Sequence, residues 1–368
     1  MNIMTMTTIR FVLLALPLLT AAPVPEDVKN AAKEPVRLHK LDISVPGRLA
    51  FADDGKLLIH AEGHTIRVWD VVTGKEKTTW EKKENRADWY VKDLAPSGTS
   101  VALLRGREDL RLFDPITGKE LRTLGGEHDF YGASNFMTYS PDGKTIVADY
   151  FGKPAYSVRT WDSATGKEHE PLNGLKQGIV RSMAVSRDGK YLALGCNGSD
   201  ILIYDLETRE LLCAYGEKRA PHADDRGGLS SPSRIVAISA VAFSADGKML
   251  AAGDNDGVIN VYERTKGKKV ATLGDGPKSL KDFTVPCVGQ LLFSPDGKSL
   301  LAVDSYLAGK GDRKLHLWDV TSGKERPPLK LEGAAHFAAL SPDGKNLAVV
   351  LSSETKAAWV EVWEVGLK

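Results

Sequence analysis

Cysteine is scarce in this chain: Cys196, Cys213 and Cys287 are the only three in 368 residues. An odd number at unrelated spacings excludes a disulfide framework and a paired-cysteine metal site. Each sits in an apolar run, where a free thiol behaves as a small hydrophobe. A surplus of charge is also missing, with 49 basic against 48 acidic residues, a formal net charge of +1 and no long block of one sign. No global field therefore draws the protein to nucleic acid or to a membrane surface. Long apolar stretches are missing as well. The run at 11–19 (FVLLALPLL) is about half the roughly 20 residues that a membrane-spanning helix needs. A G-x-S-x-G elbow, an H-E-x-x-H pair, a phosphate loop and a Cys/His cluster are all absent. Without converging reactive groups the expectation is a protein that is not an enzyme, with no cofactor and no metal.

The apolar run has a context. A single cation in the first ten residues, the run itself and then Thr20-Ala21-Ala22 form the charged, apolar and small-residue order of a secretory signal peptide. The expectation is a signal peptide over 1–22, cleaved near Ala21 or Ala22, and an exported protein, periplasmic or extracellular, with no stable membrane insertion after cleavage. Residues 23–35 read as a leader kept extended by Pro23, Pro25 and Pro35.

What is plentiful is one pentapeptide. SPDGK stands at 140–144, 294–298 and 341–345, with SRDGK at 186–190 and SADGK at 244–248. Asp-Gly between apolar runs is a hairpin signal, because Gly takes positive φ freely and Asp bonds its own backbone. With two degenerate copies, the turn glycine falls at Gly55, Gly98, Gly143, Gly189, Gly247, Gly297 and Gly344. An aromatic-acid pair follows each turn, as in Trp69-Asp70, Tyr204-Asp205 and Trp363-Glu364. A TGKE turn comes next at 73–76, 117–120 and 165–168, with looser forms later. The segments between markers alternate with period two, as Ile201/Ile203 and Leu315/Leu317 do, so they are strands. GDNDG at 253–257 is a turn between strands rather than a calcium loop, for it lacks the further carboxylates.

Four strands per repeat make an antiparallel sheet apolar on both faces, which stacking must bury. The markers resemble the WD40 repeat family from about residue 36 to 368. The resemblance implies an all-β, seven-bladed β-propeller with four-stranded blades. It also implies ring closure by an N-terminal strand, 36–41, completing the three strands of the last repeat. The family's polar tetrad is poorly kept: Gly-His before the first strand is missing, and Trp survives in four of seven repeats. The resemblance further implies binding of an unidentified protein or peptide, and the whole reads as a monomer.

Length variation falls on one face. The SPDG and TGKE turns share the other and stay short, whereas the links after the second and fourth strands vary, up to the insertion at 217–235. Long loops on a rigid scaffold are where binding usually lives. Candidate contacts on the loop-rich face are Trp89, Tyr90, Phe130, Tyr131, Arg181, His222, Asp224, Asp225, Arg226, Phe283, Tyr306 and Arg313. The alternative is a propeller-bodied enzyme or small-ligand carrier with its site at the central channel, since fold does not fix function.

Overall fold

The computed structural model describes residues 34–82, 89–105, 109–125, 136–151, 156–172, 175, 180–216, 236–274, 287–305, 313–355 and 357–367. The expected signal peptide and nearly all of the leader lie outside these residues. Among the described residues no helix is long and apolar enough to cross a membrane.

The described residues make 27 strands in seven antiparallel sheets. A first strand, β1 (Val36–Ile43), stands apart in sequence from its sheet. Blade 1 is β2 (Arg48–Ala52), β3 (Leu57–Glu62), β4 (Thr65–Asp70) and β5 (Glu76–Glu81). Blade 2 is β6 (Trp89–Leu94), β7 (Val101–Arg105), β8 (Asp109–Phe113) and β9 (Glu120–Leu124). Blade 3 is β10 (Met137–Tyr139), β11 (Thr145–Phe151) and β12 (Tyr156–Asp162). Blade 4 is β13 (Val180–Val185), β14 (Tyr191–Cys196), β15 (Ile201–Asp205) and β16 (Leu211–Tyr215). Blade 5 is β17 (Ile238–Phe243), β18 (Met249–Asp254), β19 (Ile259–Glu263) and β20 (Lys268–Leu273). Blade 6 is β21 (Cys287–Phe293), β22 (Ser299–Ser305), β23 (Leu315–Asp319) and β24 (Lys324–Glu325). Blade 7 is β25 (Ala334–Leu340), β26 (Asn346–Ser352) and β27 (Ala358–Glu364), with β1 paired antiparallel to β27 as its outer strand.

The first strands of the seven blades touch in sequence, and the first strand of blade 7 touches that of blade 1, so the array is a closed ring. Seven apolar clusters fill the seven blade interfaces. One joins Ile59 and Val68 of blade 1 to Leu103 and Phe113 of blade 2. Another joins Val350 and Val360 of blade 7 to Phe51 and Leu58 of blade 1. Closing the ring leaves no stack end exposed.

Among the described residues the fourth position is reduced in two blades. In blade 3 the fourth position holds only an isolated bridge, Trp161 to Glu168, where TGKEHEPLN carries a proline soon after its turn. In blade 6 the fourth strand is two residues long, because Arg326 is followed by Pro327-Pro328 and proline cannot donate to a ladder.

The repeated turns show what the repeated residues are for. In each SPDGK-type turn the buried serine hydroxyl donates to the aspartate two residues on, at 2.6–2.7 Å. The same hydroxyl accepts the backbone N–H five residues on, at 2.9–3.0 Å. The acid of the aromatic-acid pair caps the next turn: Asp70 accepts from the Thr73 N–H and hydroxyl, and Asp162 accepts likewise from Thr165. These hydrogen bonds hold both aspartates below the usual carboxylate range. Asp254 of GDNDG accepts from the N–H groups of Asp256 and Val258, so that segment is a turn closed on itself.

Candidate functional site

The first and third strands of each blade begin at the loop-rich face, which fixes where the candidates stand. Tyr90 is the second residue of β6 and is 48% exposed. Arg181, the second residue of β13, is exposed, and its Nε donates to Asn197 Oδ1 at 2.9 Å. Arg313 stands two residues before β23. Trp89 is different: it is 2% exposed and meets Phe113 edge-on at 5.8 Å between blades 1 and 2. It packs the ring rather than offering a surface, as alternation requires of the neighbour of an exposed Tyr90. Phe130, Tyr131, His222, Asp224, Asp225, Arg226, Phe283 and Tyr306 lie outside the described residues.

Arg313 lines a cleft of about 1610 Å³ on the loop-rich face between blades 6 and 7. One wall is the start of β23 with the end of blade 6, Pro327 to Leu331; the other is His336 and the turn from Ser352 to Thr355. The Arg313 guanidinium donates to His336 Nδ1 at 2.6 Å. His336 must therefore carry its proton on Nε2, which donates to Ser352 Oγ at 2.7 Å. Burial first, and then the Arg313 charge, push His336 down to about 4. Its ring is a neutral prop that aims a permanent cation.

His316, two residues into β23, has the opposite character. Its Nδ1 lies 2.6 Å from Glu325 Oε1 and its Nε2 lies 3.3 Å from Asp304 Oδ2. The Asp304 hydrogen bond, helped by Glu325 and opposed by burial, raises it to about 9, so it is an imidazolium donating to both carboxylates at neutral pH. Glu332, which also lines the cleft, is held well down, to about 2, by Lys40 and Arg37 of β1. Most charge at the cleft is thus spent internally. Among the described residues Arg313 and Lys314 have no carboxylate within ion-pair distance.

The sequence reading missed His316, His336 and Pro327-Pro328. The Pro-Pro pair was the available signal, since it falls where other repeats have their fourth strand. Elsewhere, Lys92 and Asp93 lie on the inner strand β6. Burial lowers the first and raises the second, with Arg48 of β2 acting on both. Among the described residues no group of three or more His, Cys, Asp or Glu is placed to hold a metal.

Residues 231–263, which reach through β19, match the family model WD40, described as "WD domain, G-beta repeat". The chain is 29% identical over 241 residues to WD repeat-containing protein 70 of Xenopus tropicalis, covering 64% of this chain and 31% of that protein. It is 23% identical over 220 residues to a guanine nucleotide-binding protein subunit beta of Oryza sativa subsp. japonica, covering 60% and 53%. It is 26% identical over 274 residues to the serine-threonine kinase receptor-associated protein of Gallus gallus, covering 74% and 65%. The chain thus spans less than two thirds of the length of each.

Proposed function

We propose that this WD40-repeat β-propeller is a non-enzymatic scaffold that binds a protein or peptide partner through its loop-rich face. The observation that carries the reading is the cleft of about 1610 Å³ on that face, with Arg313 propped at its edge and, among the described residues, without a carboxylate partner. The opposite face offers turns whose polar groups are closed on their own Asp, Ser and Thr side chains. A rigid ring that presents preformed groups loses little ordering entropy on binding. Two of the relatives carry names that place them with other proteins, one as a subunit and one as receptor-associated, which supports the same class.

The test is partner capture with charge-reversed faces. Arg181→Glu and Arg313→Glu alter the loop-rich face; Val72→Glu and Ile116→Glu alter exposed positions on the opposite one. Loss of captured protein with the first pair alone supports the reading, and loss with the second pair alone overturns it. The expected export belongs to the same proposal: the mature chain should begin at residue 22 or 23, and an intact Met1 on cytosolic protein would sink it.

A further inference from the structure

Each blade presents the outer edge of its last strand at the rim of the ring. An exposed strand edge invites pairing unless charge, proline or short length protects it. Among the described residues six of the seven rim positions have such protection. β5 carries Glu76, Lys77 and Glu81, β9 carries Glu120 and Arg122, and β20 opens with Lys268-Lys269. β1 carries Arg37, Lys40 and Asp42. Blade 6 has only the two residues of β24 before its proline pair, and blade 3 has an isolated bridge. β16 of blade 4 is the exception: Leu211–Tyr215 (LLCAY) holds neither charge nor proline. The bulge at its start is shared with β5, β9 and β20, so it adds no protection of its own.

The edge of β16 is open. It is the last strand of its sheet and pairs on one side only, with β15. Leu211 and Leu212 are 37% and 49% exposed, and Ala214 is exposed between half-buried Cys213 and Tyr215. Among the described residues no hydrogen bond to the backbone of Leu211–Tyr215 comes from outside that ladder.

Two copies of this strand fit each other. In an antiparallel pair about a twofold axis at Cys213, Leu212 of each copy lies opposite Ala214 of the other, and Leu211 opposite Tyr215. Large meets small twice on the face where Leu212 and Ala214 project. The same operation on β9 would set Arg122 against Arg122, and on β5 it would set Glu76 against Glu81. Like charges directly opposite destabilise a pair, and β16 has none to oppose. A foreign strand finds no charge to read here, whereas a second copy brings its own matched register.

We infer that two copies of this chain associate edge to edge through β16, antiparallel, joining their fourth blades into one continuous sheet. The inference goes beyond the scaffold reading and departs from the monomer expected from the sequence. β16 runs from the turn face to the loop-rich face, so an antiparallel pair points the two loop-rich faces in opposite directions. Both faces stay free, and the dimer bridges two partners rather than clamping one. Five residues span about 17 Å and offer only a few ladder bonds, so the dimer is weak and depends on concentration.

The test is sedimentation velocity of the mature chain from about 1 to 100 µM, the range of weak interfaces. The expected result is a monomer that becomes a dimer as concentration rises. Leu212→Lys with Ala214→Lys sets lysine against lysine across the axis and should weaken the dimer at least tenfold. The melting temperature of dilute protein should not move, because both side chains face solvent. Val270→Lys, on the rim of blade 5, should leave the dimer in place. A short bismaleimide should join Leu212→Cys chains to Ala214→Cys chains in a mixture, and the linked peptides report the register. A chain that stays monomeric throughout overturns the inference, as does a dimer that survives the double lysine variant or forms without that link. A dimer lost with Arg181→Glu or Val72→Glu instead would move the contact to a face of the ring and overturn it. A monomer that captures a different protein through β16 would overturn the second copy as occupant. Partner capture by the loop-rich face is read separately, so the scaffold reading survives any of these results.

Discussion

At the scale of single residues the seven turn glycines look interchangeable, and the structure separates them. Gly247 and Gly189 have φ of +67° and +71° with nothing within 4 Å of where a Cβ would stand. Gly344, at φ +70°, would put that Cβ 1.5 Å from the Leu367 carbonyl oxygen. Gly247→Ala should cost about 1–2 kcal/mol, the left-handed penalty for an L side chain. Gly344→Ala adds a backbone collision that only movement of the 365–367 segment can relieve. Its loss in urea denaturation should exceed that of Gly247→Ala by at least 1 kcal/mol or so, in line with overpacking. Equal losses would mean that the segment yields freely. The turn itself was legible in SPDGK, because Asp-Gly chemistry is local. The serine's part was not foreseen, since its two bonds appear only once the turn is closed. Which copy abuts Leu367 is a matter of tertiary position that five near-identical pentapeptides cannot encode.

At the scale of elements the closure of the ring depends on β1 and β27. The sequence reading foresaw the pairing because the last repeat has three strands and 36–41 has no partner nearby. It did not foresee Glu361. This residue is fully buried, with Trp359 and Trp363 on the same face of β27 by strand alternation. Both indole N–H groups donate to its carboxylate, at 3.1 and 3.0 Å, and Arg37 of β1 reaches it at 3.2 Å. The pattern Trp-x-Glu-x-Trp is the signal, hidden because Trp363-Glu364 also fits the aromatic-acid marker. Glu361→Ala strands two buried donors and should cost about 2–6 kcal/mol, at about 1–3 for each unsatisfied group. Glu361→Gln keeps an acceptor and should cost less, and Arg37→Ala should cost least because the arginine is solvated. Denaturant midpoints order the three; an Arg37→Ala loss as large as that of Glu361→Ala would assign the latch to the ion pair instead of the indoles.

At the scale of the whole molecule, repetition made the architecture legible: one turn and one aromatic-acid pair, returned seven times, leave few folds that bury both faces of every sheet. The site was less legible. The face was read from loop lengths, and Tyr90, Arg181 and Arg313 stand on it, but Trp89 is core. The cleft comes from something missing, a strand that Pro327-Pro328 prevents, flanked by histidines with no sequence motif. Those histidines should shape the stability of the ring against pH. His316 is raised from 6.5 to about 9, so its contribution is complete below about pH 6.5 and is lost as pH climbs through 9. His60, buried in β3 and pushed to about 3 by burial and then by Arg67, and His336, at about 4, act on the other side. They stay neutral in the fold while the unfolded chain takes up protons, so stability falls as pH drops below 6.5 toward those values. The turn carboxylates Asp70, Asp162 and Asp319, each held low mainly by hydrogen bonds from Thr or Ser, add to the acid loss near pH 4 and below. The melting temperature should therefore peak near pH 6.5 and decline on both sides, each differing proton contributing at most about 1.4 kcal/mol per pH unit. His316→Gln should flatten the limb between pH 6.5 and 9 and leave the acid limb in place. A variant whose alkaline limb matches the parent's would show that the Asp304–His316–Glu325 clamp contributes nothing to stability, and with it would go the view that this charge is spent inside the cleft.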